Sequence, residues 1–152
     1  MAPPDKVQYS ARVHTTGGRD GGVSRSSDGH LDIRLSVPGT PGTGTNPEQL
    51  FAAGWSSCFV SSIKIVAGRT KMNLPLDLAV DVEVDLCRND GGFFLQARIQ
   101  VSLPGVEREL AHNLLAEADQ ICPYFKATRG NISVALNIAA SQTNISAVPC
   151  AA

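Results

Sequence analysis

The chain has 152 residues and a formal net charge of −1, a size that suits one domain with its own core and a balance that excludes the basic footprint of a nucleic-acid binder. Hydrophobic residues make up 43% and charged residues 18%, as in an ordinary globular protein. Met1-Ala2-Pro3-Pro4-Asp5-Lys6 lacks the apolar core of a signal peptide, so the four cysteines are expected in a reducing cytoplasm, where thiols are catalytic, metal-binding or simply buried.

Val7, Tyr9, Ala11 and Val13 alternate with polar residues, which predicts a first strand. The loop 15–22 carries four glycines and can take unusual backbone angles. A short strand over 23–27 leads into Asp28-Gly29, a hairpin turn signal. Leu31, Ile33, Leu35 and Val37 alternate back, and 38–45, rich in Gly, Pro and Thr, reads as a loop. A helix is predicted from Asn46 as N-cap, with Pro47 in its first position and Gln49 where a capping box wants it. Gly68 is its expected stop. Apolar residues cover nearly all its sides, so it is expected to be buried. Its length would serve a membrane span, but Ser56, Ser57, Ser61, Ser62 and Lys64 argue against one.

The clearest strand signal follows. Leu76, Leu78, Val80, Val82, Val84 and Leu86 alternate, Asn89-Asp90-Gly91-Gly92 turns the chain, and Leu95, Ala97, Ile99, Val101 and Leu103 alternate back. Val106, Leu110, Leu114 and Ala118 predict a second helix, interrupted by Pro123 just after Cys122. Ile132, Val134, Leu136 and Ile138 form a last strand, and 139–152 is expected to be a weakly ordered tail. The order is βββ-α-ββ-α-β, an α+β fold in a single domain over 1–152.

The residues leave several chemistries open. Cys58, inside the first helix, reads most simply as a core cysteine. Cys122 reads as a thiol at a helix end, and spacing alone does not bring the two together. Cys87 shares a strand face with Asp81, Glu83 and Asp85, whose charge disfavours a thiolate, and Cys150 lies in the tail. No Cys-x-x-Cys pair occurs, and His14, His30 and His112 have no ligand spacing with the cysteines, so no metal is expected. Arg19 is either a solvated loop arginine or a deliberately placed guanidinium. Glu48 in the first helical turn interacts favourably with the helix dipole whether or not it has a further role.

Taken in order, several segments resemble the OsmC/Ohr family, specifically its organic hydroperoxide resistance branch. They are Thr15-Thr16-Gly17-Gly18-Arg19-Asp20-Gly21, Ser27-Asp28-Gly29-His30-Leu31, Gly44-Thr45-Asn46-Pro47-Glu48-Gln49-Leu50-Phe51-Ala52-Ala53-Gly54, Cys58-Phe59, and Cys122-Pro123-Tyr124 with Ala127-Thr128-Arg129-Gly130-Asn131-Ile132. The departures are mild: Trp55-Ser56-Ser57 stands where a tyrosine and small residues are usual, and Phe125-Lys126 where small or polar ones are.

The resemblance implies two long helices between sheets in an intertwined homodimer with two sites at the subunit interface. It implies a two-cysteine thiol peroxidase that turns organic hydroperoxides into alcohols, with Cys58 attacking and Cys122 resolving. Arg19 and Glu48 match the activating arginine and its carboxylate. The reductant is implied to be a dihydrolipoyl-bearing protein or a small dithiol, with no bound cofactor and no nucleic-acid or membrane partner. Phe51, Trp55, Phe59 and Phe125, with Phe93 and Phe94 as further candidates, would favour alkyl or lipid hydroperoxides. The competing class is a peroxide sensor or binding module that oxidises once without turnover. The broader OsmC branch, with wider peroxide use, is the enzyme alternative. Glu48 and Cys58 are ten positions apart, roughly 15 Å along a helix. An antiparallel crossing of two such helices near Ala52, Ala53 and Gly54 would bring Glu48 of one chain beside Cys58 of the other.

Overall fold

The computed structural model describes residues 6–140, so Cys150 and the tail from 141 lie outside the described residues. The chain divides into a first compact unit ending at Pro47 and a second beginning at Glu48.

The first unit is an antiparallel sheet of β1 (Val13–Thr16), β2 (Val23–Ser26) and β3 (Asp32–Arg34), in that order. Its rungs run from Val13 opposite Ser26 to Thr16 opposite Val23, and from Val23 opposite Arg34 to Arg25 opposite Asp32. The alternation at 7–13 predicted a longer first strand. Only Val13 of that set lies in one, and Val7 and Tyr9 are exposed. Alternation marks a two-faced segment but does not supply a hydrogen-bonding neighbour. β2 ends at Ser26, the Ser27 N–H still reaches the Arg12 carbonyl, and the chain then turns through Gly29 at φ 78°. β3 is likewise shorter than predicted: the Leu35 N–H still donates to the Gly22 carbonyl just before β2, but Leu35 itself stands outside the strand in a parallel bridge to Thr45.

The second unit opens with α1 (Pro47–Arg69), beginning where Asn46-Pro47 predicted. It does not stop at Gly68. Lys71 takes the left-handed conformation at φ 54°, and the Met72 N–H closes back on the Ala67 carbonyl at 2.9 Å. A lysine therefore fills the place usually given to glycine at a helix end. Nor is α1 buried all round. Trp55, Phe59, Ser62, Ile63, Val66 and Ala67 are buried, whereas Ala53, Ser57, Ser61, Lys64 and Ile65 are exposed. By length and composition α1 could cross a membrane, yet its largest side chains pack into the protein's own core.

That core lies against a sheet of β4 (Ala79–Asn89), β5 (Gly92–Ser102) and β6 (Ser133–Ile138). β4 and β5 pair antiparallel around Asp90-Gly91, and β6 runs parallel to β5. Leu76 and Leu78, predicted at the start of β4, precede it, and Leu76 is fully exposed. One sheet face sends Ala97, Ile99 and Val101 against Trp55, Phe59, Ile63 and Val66, with Val80, Val82 and Val84 beside them. Each fully buried large side chain contributes about 1.5–3 kcal/mol. The other face is polar, and there Arg98 pairs with Glu83 and Asp85 at 2.7 and 2.6 Å. Cys87 sits on this second face, as its spacing from Asp81, Glu83 and Asp85 predicted, and is half-buried there.

α2 (Arg108–Ile121) is capped by Glu107, whose carboxylate accepts from the Glu109 and Leu110 amides. Ala111, Leu114, Leu115 and Ala118 face the core, while Leu110, predicted on that face, is half exposed. Pro123 ends α2 as expected, and a short α3 (Pro123–Thr128) follows before β6. Beyond β6 the Ala139 N–H still donates to the Val101 carbonyl.

Candidate active site

Proline dictates the geometry around Cys122. A residue before proline is pushed towards extended backbone, and Cys122 has φ −66° and ψ 120°. It is shared between two helices: its N–H donates to the Ala118 carbonyl at 3.0 Å, and its own carbonyl accepts from the Lys126 N–H at 3.0 Å. Its side chain is fully buried.

Cys58 is half-buried on α1, and the buried Ser62 hydroxyl donates to its carbonyl. The two helices bring the Cys58 and Cys122 sulfur atoms to 3.8 Å, although 64 positions separate them in the chain. Burial pushes the Cys58 thiol up. The proximity of Cys122 and the hydrogen bond between the two thiols add to that, and a hydrogen bond with the Tyr124 backbone opposes it. Pro123 has no N–H, so the first amide that α3 can offer is that of Tyr124. On balance these neighbours favour the protonated thiol, and a thiolate here calls for a cation.

Cys122 belongs to the same core cluster as Trp55, Phe59 and Phe125, and Cys58, Phe51 and Tyr124 pack against it. Phe51 and Trp55 meet edge to face at 5.4 Å, Trp55 and Phe125 at 5.3 Å, and Phe59 and Phe125 at 4.8 Å. Trp55, Phe59 and Phe125 are core residues, and only Phe51 of the four is half open. Phe93 and Phe94 do not join this group. They stand exposed near the β4–β5 turn, where the Arg88 guanidinium lies over Phe93. A shallow cavity of about 240 Å³ beside Phe125, lined by Thr128, Arg129, Ile132 and Leu136, includes neither thiol.

Residues 38–137 match the model of the OsmC-like protein family. The chain belongs to that family. Within it, the chain falls in the organic hydroperoxide resistance (Ohr) branch. It is 44% identical over 143 residues to the organic hydroperoxide resistance protein of Xanthomonas axonopodis pv. citri, covering 91% of this chain and all of that one. The crystal structure of an organic hydroperoxide resistance protein OsmC from Legionella pneumophila superposes with a TM-score of 0.83 at 37% identity, over 89% of this chain and all of that one. That of OhrB from Bacillus subtilis gives 0.81 at 38% identity, over 88% and 100%. The α+β architecture read from the sequence is therefore that of known Ohr structures.

In this Ohr-branch chain Arg19 lies half-buried in the first unit, in a loop where Gly17, Gly18 and Gly21 have φ of 72°, 56° and 81°. Glu48 lies half-buried in the first turn of α1. Tyr124 was not singled out by sequence reasoning as a site residue. Its ring lies 5.9 Å from Phe51 and 6.4 Å from Trp55, and its backbone bonds to Cys58. The available signal was its position directly after Cys-Pro. His14, His30 and His112 are exposed, and no three metal-ligating side chains cluster among the described residues.

Proposed function

We propose that this protein is a cytoplasmic thiol peroxidase that reduces alkyl and lipid hydroperoxides, with the whole chain working as one Ohr-like domain. The observation that carries this reading is the sulfur pair at 3.8 Å, one thiol half-buried and the other fully buried, amid aromatic side chains. The naming of its relatives for organic hydroperoxide resistance supports a role in peroxide detoxification.

Cys58 is the attacking thiol because it is the more accessible of the two. Its thiolate attacks one peroxide oxygen: an S–O bond forms, the O–O bond breaks, and the departing alkoxide takes a proton to become an alcohol. Sulfur loses two electrons and becomes a sulfenic acid. The Cys122 sulfur then displaces the hydroxyl as water and an S–S bond forms. The sulfurs need only close from 3.8 Å to about 2.05 Å. A dithiol such as a dihydrolipoyl group restores both thiols by exchange and is oxidised to its own disulfide.

The cation that the half-buried Cys58 thiol calls for is Arg19, held by Glu48. A guanidinium keeps its charge and can donate to sulfur, and a carboxylate can fix its aim with a two-pronged bond. The functional unit is a homodimer in which Arg19 and Glu48 of one chain serve Cys58 of the other. Phe51, Trp55, Phe59 and Phe125 give the site its apolar character and its preference for organic peroxides.

Steady-state assay with cumene hydroperoxide and dihydrolipoamide tests the proposal. Many turnovers per subunit are expected, with a Cys58–Cys122 disulfide trapped when the dithiol is withheld. One oxidation followed by arrest in the presence of dithiol would replace the peroxidase with a sensor.

A further inference from the structure

Gly54 lies one turn before Cys58, on the same face of α1. A Cβ placed there would stand 3.0 Å from Tyr124 Cζ and 3.4 Å from Cε1, and closer still to the phenolic oxygen. Glycine is thus the one residue that leaves room for this ring. Tyr124 follows Cys122 by two residues, so two adjacent rungs join α1 to the Cys122-Pro123-Tyr124 turn: Gly54 against Tyr124, and Cys58 against Cys122.

The rungs are stiffly coupled. The Tyr124 ring is held between Phe51 and Trp55, its carbonyl accepts from the buried Thr128 hydroxyl at 2.8 Å, and Cys122 is bonded into both flanking helices. A methyl group at position 54 meets the outer end of the Tyr124 ring, and the ring must shift from its place beside Phe51 and Trp55, which disturbs the seat of the turn that carries it. Gly68 makes the contrast. It lies in the same helix, yet a Cβ there meets nothing within 4 Å.

We propose that Gly54 is a positioning residue: by presenting no side chain beneath Tyr124 it lets the Cys122-Pro123-Tyr124 turn seat against α1, and so sets the reach over which Cys122 resolves Cys58. The inference rests on the peroxidase reading and adds a determinant of its fidelity. The Cys58 sulfenic acid has two fates. Attack by Cys122 forms the disulfide and releases water. Reaction with a second hydroperoxide yields the sulfinic acid and an alcohol, a loss that the protein does not reverse by thiol exchange. The spacing that Gly54 maintains decides the partition.

Rapid-quench mass spectrometry of the full-length protein, mixed with graded cumene hydroperoxide, reads sulfenic, sulfinic and disulfide forms directly. Gly54→Ala is expected to form the disulfide about tenfold to a hundredfold more slowly, the scale of a small misplacement of reacting groups. It should also accumulate sulfinic acid at doses where the unsubstituted protein yields disulfide alone. Gly68→Ala should partition like the unsubstituted protein. In a Tyr124→Ala background, Gly54→Ala should cause no further change, because the ring it would strike is gone. An unchanged partition in Gly54→Ala would overturn the proposal, as would the same added slowing in the Tyr124→Ala background. Should Gly54→Ala fail to fold alone, recovery of folding in Gly54→Ala/Tyr124→Ala supports the contact, and failure there as well refutes it. Absence of any Cys58–Cys122 disulfide in the unsubstituted protein is a separate outcome that removes the peroxidase reading itself.

Discussion

Cys58 and Cys122 differ in what each loses on substitution. Cys58→Ser is expected to abolish turnover of cumene hydroperoxide. Cys122→Ser is expected to allow one oxidation per subunit and then stop in the presence of dihydrolipoamide. Multiple turnovers in Cys58→Ser at the rate of the unsubstituted protein would reverse the assignment. Burial acts on Cys58 in the direction that opposes catalysis, so Arg19→Ala should move its titration upward, read from thiolate absorbance against pH. With that cation removed, the folded chain keeps the Cys58 proton at pH values where the unfolded chain has lost it. The stability of Arg19→Ala should therefore be full below the unfolded thiol's value, about 8.5, and decline as pH rises through the folded one. Adding Cys58→Ser should remove that decline from the urea midpoints. The cysteines and Arg19 were legible as residue types, but their roles came only through the resemblance.

At the scale of elements, period and breakers located the two long helices and all but the first strand, whereas the short α3 was read only as a break at Pro123, although proline also suits the first position of a new helix. Glu107 replaces the small polar residue that usually caps a helix. Its bonds to the Glu109 and Leu110 amides hold its carboxyl below the ordinary range. The cap therefore stabilises α2 above the ordinary carboxylate value, about 4.3, and is lost as pH falls through the lower folded value. Glu107→Ala should lower the melting temperature at pH 7, and the difference should shrink once both proteins are acidified below that value, as followed by circular dichroism. In α1 the core side is the costly one. Phe59, fully buried against Phe125, should lose about 3–5 kcal/mol on truncation to Ala, measured by denaturant unfolding.

For the whole molecule, the open side of α1 is consistent with a second copy. Ala53, at the midpoint between Glu48 and Cys58, is exposed, as are Ser57 and Ser61. Small residues there permit close helix approach. The glycine expected to share that crossing is occupied on its own chain, by Tyr124. Two-fold contacts are the commonest oligomer symmetry. Mixing Glu48→Ala subunits with Cys58→Ser subunits should restore one intact site per mixed dimer. Exchange verified by native mass spectrometry with no recovery of peroxidase activity would exclude shared sites.

The sequence by itself determined the α+β order, the helix start at Asn46-Pro47, the β4–β5 turn and the break at Pro123, because each follows from short-range rules: side-chain period, ring-fixed backbone angles and turn chemistry. It also carried the family, through motifs spread along nearly the whole chain. Only the tertiary structure decided that β6 joins β5 in parallel, that Val7 and Tyr9 lack a strand partner within their own sheet, and that Cys58 and Cys122 meet at 3.8 Å. It also decided that the Tyr124 ring packs over Gly54 and leaves no room for a side chain there. These depend on which distant segments become neighbours, and that choice is made by the packing of whole faces, which no local pattern encodes.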